Sequence, residues 1–339
     1  MKKMKRSLWF VGMGSFVLLS ACGNGDSEDD VGTITLYSPE TPDMSAELAE
    51  AFEEEYGGTV NVEYAGTNVL VNQMLAEQDN PQADVWYGGG GFMPFESAVE
   101  MGILEAYQPE AASDWEVYEN DIKMRHEDWM YTGIELFALG FSYNPELVSE
   151  EELPQTWDDL LDPRWEGEIQ MPNPAASGTA TLLVLSQLLA KGEEEGWGYF
   201  DQLVQQMSAM PDSGLAPTQA AASGEASIGI GFDFMAYQMK ERGESIDFHV
   251  PESTPVLVNP ATLIANGPNP EGGQKFIEFL LSEKGQQIKA DWGHIPLHPD
   301  VESQTPLNAE ALKDHAMELD VDWIIENYDD ARNEWQQRY

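Results

Sequence analysis

Positive charge is what this chain has least of. Sixteen Lys and Arg stand against 61 Asp and Glu, for a formal net charge of −45. A surface so negative repels the phosphate backbone that DNA- and RNA-binding proteins must approach, which excludes nucleic acid as a partner. Cysteine is scarcer still: Cys22 is the sole thiol, so there is no disulfide framework. The apolar run Leu8 to Leu19 falls short of the ~20 residues that cross a bilayer. Internal repeats, a nucleophile elbow, a P-loop and a metal-ligating helix are all lacking. With 61 carboxylates, neighbours such as Asp158-Asp159 arise by chance and carry no sign of glycosidase chemistry. An extracellular hydrolase is therefore the weaker alternative to a binding protein, and no catalytic residue and no cofactor are expected.

What is present is a chain of 339 residues, room for two domains, with hydrophobic residues at 42% and aromatic residues at 10%. That composition suits a globular protein and not a disordered one. Lys2, Lys3, Lys5 and Arg6 precede the short apolar run, which ends in Leu19-Ser20-Ala21-Cys22. This segment resembles the signal peptide and lipobox of bacterial lipoproteins. Residues 1–21 are thus expected to be removed, Cys22 to carry acyl chains such as palmitate, and 22–30 to form a polar tether. The expected location is extracytoplasmic, lipid-anchored to the cell membrane. Cleavage would leave twelve basic against 61 acidic residues. Such an excess suits a halophilic setting, because at ~1 M salt the Debye length is only ~3 Å and self-repulsion is screened.

The body alternates strand and helix. Thr33 to Tyr37 reads as a strand, and Met44, Leu48 and Phe52, at i, i+4 and i+8, mark the face of a helix stopped by Gly57-Gly58. Val60 to Tyr64 and Asp84 to Tyr87 are further strands, with a helix between them from Val69. Such βαβ spacing implies a parallel sheet with ligands beyond the carboxyl ends of its strands, at Ser38, Thr67 and the run Gly88, Gly89, Gly90, Gly91. Phe137 to Tyr143 is an apolar strand, and a second alternating set begins at Ile169.

Three stretches carry a family resemblance: Thr156 to Gly178, Ala222 to Asp233 and Pro268 to Gly285, with Gly293 to Pro299 closing the pattern. From about Thr33 to Val301 the chain resembles the solute-binding proteins of ABC importers, in the group that binds ferric ion, organophosphonates, sugar phosphates and thiamine. The resemblance implies an α/β fold of two lobes joined by a hinge, a ligand enclosed between them, a membrane permease as partner, and a monomer. The crossings would be Glu135 to Ser142 and Leu257 to Ala265. Lobe 1 would be 31–136 plus 262–300, and lobe 2 137–261 plus 301–339.

Ser177-Gly178-Thr179 falls at a predicted helix start, where free N–H groups and the helix dipole favour an oxyanion. Ser177 or Thr179 as an ordinary cap is the competing reading. Ser213, with Gly214 before the helix opened by Pro217, has the same potential. Asp233 closes a glycine-rich strand, so its carboxylate can meet an amine, and Glu252 is a second candidate; a solvated loop is the alternative for Asp233. The family's ferric members use adjacent tyrosines after this strand, but here the chain reads Phe232-Asp233-Phe234 and contains no Tyr-Tyr pair. No metal site is expected. Between Cys22 and Ile122 there is no Lys or Arg, so the first lobe meets an anion only with neutral donors. A phosphonate, phosphate ester or zwitterion is the preferred ligand, with ferric ion or thiamine as alternatives.

Overall fold

The computed structural model describes residues 31–119 and 121–339; the expected signal peptide, Cys22 and the tether lie outside the described residues. Thr33–Ser38 pairs in parallel with both Thr59–Tyr64 and Val85–Tyr87. Ser38 lies opposite Tyr64 and Tyr37 opposite Trp86, which brings the carboxyl ends of the three strands to one edge of the sheet. Helix Pro42–Tyr56 buries Met44, Leu48 and Phe52, the face read from their spacing. Phe52 meets Phe276 and Phe279 edge-on, with centroids at 5.1 and 5.6 Å. These two belong to helix Pro270–Leu281, whose first turn is capped by Asn269. Each fully buried ring of this kind contributes ~1.5–3 kcal/mol.

Two long strands organise the rest. Thr132–Tyr143 runs antiparallel to Val256–Ile264, from Val256 opposite Ala138 to Ala261 opposite Thr132, with an irregularity at Asn259/Pro260. Proline has no N–H to give a ladder, so a bulge is where it is tolerated. Ile295–Pro296 joins at the same level, opposite Leu136 and Glu135, adding a third segment. One end of the pair continues into Val85–Tyr87 through Ala261 to Leu263. The other end, Leu139 to Tyr143, pairs with Ile228–Phe232, which leads to Ile169–Gln170 and Met207–Ala209. The result is one mixed sheet of eleven strands, with parallel sets on either side of antiparallel crossings.

Both crossing strands are buried along their whole length. Helix Gly178–Lys191 covers the second half of the sheet with Leu182, Leu183, Val184 and Leu185. The C-terminal helix Val321–Arg338 packs on it and also touches helix Met93–Glu100 beside the first half. Trp335 is set edge-on to Phe200 at 5.4 Å. Among the described residues no helix is long and apolar enough to cross a membrane.

Candidate functional site

At the edge where the first strands end, Gly88, Gly89, Gly90 and Gly91 have φ of +88°, +138°, +81° and +106°, a path that side chains rarely follow. A Cβ on Gly88 would lie 2.3 Å from Glu40 Oε1. The amides of this loop, expected as neutral donors to a ligand, have partners within the protein at three positions. Gly88 N donates to the Pro260 carbonyl (2.9 Å), Gly89 N to Glu40 Oε1 (3.3 Å) and Gly90 N to Asn259 Oδ1 (3.4 Å). A carbonyl, a carboxylate and an amide oxygen of the protein itself take up these three donors. Ser38 is buried and its Oγ accepts from Glu40 N (3.2 Å). Thr67 Oγ1 donates to the Gly89 carbonyl (3.4 Å).

Behind Glu40 is a charged network in the crossing strands. Asn259 Nδ2 donates to Glu40 Oε1 (2.9 Å) and Glu135 Oε1 (2.8 Å), and Tyr87 Oη donates to the same Glu135 oxygen (2.8 Å). Burial raises the pKa of Glu135, opposed by the nearby Lys289, and burial lowers that of Lys289. Lys289 donates to the Leu280 carbonyl. Burial raises Glu40 as well. His294, pushed down to about 3 by burial and by Lys289, is neutral. Its Nδ1 stands 3.8 Å from Glu135 and its ring stacks on Phe234 at 4.8 Å.

Asp233 is not in a solvated loop. It is fully buried as the first residue of helix Asp233–Glu241, and Oδ1 accepts from Ala138 N of the crossing strand (2.9 Å). Oδ2 is buried without a partner, and burial holds the group at about 7. Phe232 packs edge-on to Phe137 (4.7 Å), and a Cβ on Gly90 would lie 3.9 Å from its ring. Thr41 Oγ1 donates to Gln238 Oε1 (3.3 Å). At these contacts the loops following the first strands meet Phe232 and the helix that follows it.

The second cluster is the start of helix Gly178–Lys191. Ser177 is the extended N-cap residue, φ −112° and ψ 124°, but its side chain does not cap the helix. Ser177 Oγ and Thr179 Oγ1 each stand 3.3 Å from the place a Cβ on Gly214 would occupy. Both residues are 8% exposed, and neither hydroxyl has a hydrogen-bond partner among the described residues. Ser177, Gly178 and Thr179 are thus brought to the Ser213-Gly214 turn. Ser213 itself is exposed, with Oγ accepting from Leu215 N (3.3 Å). Glu252 joins neither cluster: it is exposed, its amide bonded to the Gln155 carbonyl (2.9 Å). Among the described residues no three His, Cys, Asp or Glu are grouped to hold a metal.

Several residues here were not singled out from the sequence. Glu135 had a signal, a lone charge inside the apolar strand Thr132–Tyr143. Asn259 had one too, a polar residue in the run Val256 to Ile264. Glu40 and Lys289 had none, since 61 acids hide one and a helix surface the other.

Comparison with known proteins accords with this arrangement. The family described as bacterial extracellular solute-binding protein matches residues 80–318. Iron uptake protein A1 of Synechocystis is 28% identical over 323 residues, covering 84% of this chain and 85% of that protein. The putative 2-aminoethylphosphonate-binding periplasmic protein of Salmonella typhimurium is 26% identical over 262 residues, covering 74% and 73%. The periplasmic binding protein AfuA of Actinobacillus pleuropneumoniae, solved with fructose-6-phosphate bound, superposes with a TM-score of 0.76 at 28% identity, covering 90% of this chain and 98% of that one. Two half-sheets on either side of antiparallel crossings are the two-lobed hinge-and-cleft architecture of such proteins, and the chain belongs to the bacterial extracellular solute-binding proteins, the ligand-capturing components of ABC importers.

Proposed function

We propose that this protein captures a small phosphonate, phosphate ester or comparable zwitterion and delivers it to its membrane permease, binding without catalysis. The observation that carries the reading is the pair of unpartnered hydroxyls on the largely buried residues Ser177 and Thr179 at an uncapped helix start. Hydrogen bonds to a charged oxygen are about twice as strong as neutral ones, so neutral donors with a helix dipole suffice for an anion. Glu40 and Asp233, carboxylates without a cationic partner among the described residues, suit an ammonium group on the same ligand. In this reading lobe 1 is 31–136 plus 262–300, lobe 2 is 137–261 plus 301–339, and a monomer closes around the ligand.

The test is a thermal-shift screen at high salt with 2-aminoethylphosphonate, fructose 6-phosphate, inorganic phosphate, ferric citrate and thiamine, then calorimetry on each hit. Stabilisation by a phosphorus compound, lost in Ser177→Ala/Thr179→Ala, is expected. A response to ferric citrate alone would replace this reading with iron binding, which the Phe232-Asp233-Phe234 sequence disfavours for want of phenolate ligands. The proposal includes cleavage before Cys22, its acylation and anchoring of the body to the cell membrane, with the acidic surface an adaptation to salt. Mass spectrometry of the mature N-terminus in a bacterial host should find a diacylglyceryl-cysteine; a chain still beginning at Met1 would refute the anchor.

A further inference from the structure

The C-terminal helix Val321–Arg338 lies beyond the matched segment 80–318, yet it rests against the helix start just described. Gly178 leaves room for it: the place of a Cβ there is 3.7 Å from Tyr328 Oη. One turn further, Arg332 donates Nη2 to the Ala175 carbonyl (2.8 Å), with its guanidinium 5.7 Å from the Tyr328 ring centroid. In a chain of 61 acids, Arg332 has a single carboxylate within 4 Å among the described residues. That is Asp329, at 3.9 Å and 86% exposed, a separation and exposure that leave the pair nearly without effect. The Tyr328 hydroxyl has no hydrogen-bond partner among the described residues. A second observation points to a ligand at this place: the hydroxyls of Ser177 and Thr179, on side chains more than nine-tenths buried, converge on Gly214 without partners.

We infer that Tyr328 and Arg332 complete the anion site at Ser177–Thr179, and that the group it takes is a phosphoryl or phosphonyl head. The inference rests on the ligand reading above and adds the residues that set its specificity. Three hydroxyls, the open helix N–H groups and a guanidinium with spare donors suit a tetrahedral group with three terminal oxygens better than a planar carboxylate. The positive charge that residues 31–122 lack is supplied from the far end of the chain. Because the same helix touches Met93–Glu100, beside the glycine loop, the site is placed where the two halves of the molecule approach.

The experiment is calorimetry on the full chain with inorganic phosphate and 2-aminoethylphosphonate as probes. It compares the wild type with Arg332→Gln, Arg332→Lys, Tyr328→Phe and Ser177→Ala/Thr179→Ala. Arg332→Gln should weaken phosphonate binding about ten- to a hundredfold, the effect of one lost charge-assisted bond. Tyr328→Phe should weaken it several-fold, and Arg332→Lys should recover part of the loss. The ligand-free unfolding midpoints of the three single variants should stay near the wild type, a result that a merely structural role would not give. If Arg332→Gln and Tyr328→Phe bind like the wild type while Ser177→Ala/Thr179→Ala does not, this inference is overturned and the proposed function stands. If the wild type binds neither probe nor any other phosphorus compound, both fall.

Discussion

Asp233 is the residue whose burial has the plainest thermodynamic consequence. Its ordinary pKa of 3.8 is raised to about 7 by burial, against the hydrogen bond from Ala138 N that favours the charged form. Between those two values the folded protein holds a proton that the unfolded chain has released. This group therefore lowers stability as pH rises from about 4 to 7, with no further change above. Asp233→Asn keeps an acceptor for Ala138 N and removes the titration. Relative to wild type, the variant should gain on the order of a few kcal/mol between pH 4 and pH 7.5, read from urea unfolding at a series of pH values. Parallel wild-type and variant curves would show that the carboxyl is not desolvated. The sequence placed Asp233 at the end of its strand correctly but left its surroundings open, because Ala138 is 95 residues away.

Among the elements, the glycine loop has the strictest steric requirement. At Gly88 a methyl group would meet both a φ of +88° and the Glu40 carboxylate at 2.3 Å. Gly88→Ala should lower stability by about 1–3 kcal/mol and weaken ligand binding by displacing Glu40. Gly102→Ala, with a φ of +69° and nothing within 4 Å, provides the control for backbone strain without the clash; equal losses in the two variants would mean that Glu40 plays no part. Helices with a clear period, such as Pro42–Tyr56 and Pro270–Leu281, were legible from sequence. Strand Thr132–Tyr143 begins five residues before the apolar run at Phe137 that announced it. A strand buried on both faces has no alternation to read, and Glu135 in its middle looks like an interruption until Asn259 and Tyr87 are seen to bond it. Helix Glu193–Gln206 was not anticipated, its acidic first turn blending into an acidic chain.

For the whole molecule, the proposed division into two lobes makes the crossings at Thr132–Tyr143, Val256–Ile264 and Ile295–Pro296 the hinge to be tested. Scattering from the protein saturated with a ligand identified by the screen should show a smaller radius of gyration than the ligand-free form; superimposable profiles would argue against closure on binding. A net charge of −45 repels itself across any compact shape. Raising NaCl toward ~1 M should accordingly raise the unfolding midpoint. A midpoint that is flat or falls with salt would remove the case for a halophilic surface.

The sequence by itself determined the family, much of the order of strands and helices, the strongly negative charge, and the helix start at Ser177–Thr179. All of these depend on local pattern or on charge summed over the chain. The tertiary structure decided what surrounds each candidate. It put Glu40 against the glycine loop, buried Asp233 against Ala138, left Glu252 exposed, and set Tyr328 and Arg332 beside Gly178 from 150 residues or more along the chain. The reason is that a side chain's partners and its loss of water are set by packing between distant segments. No spacing within one segment encodes them.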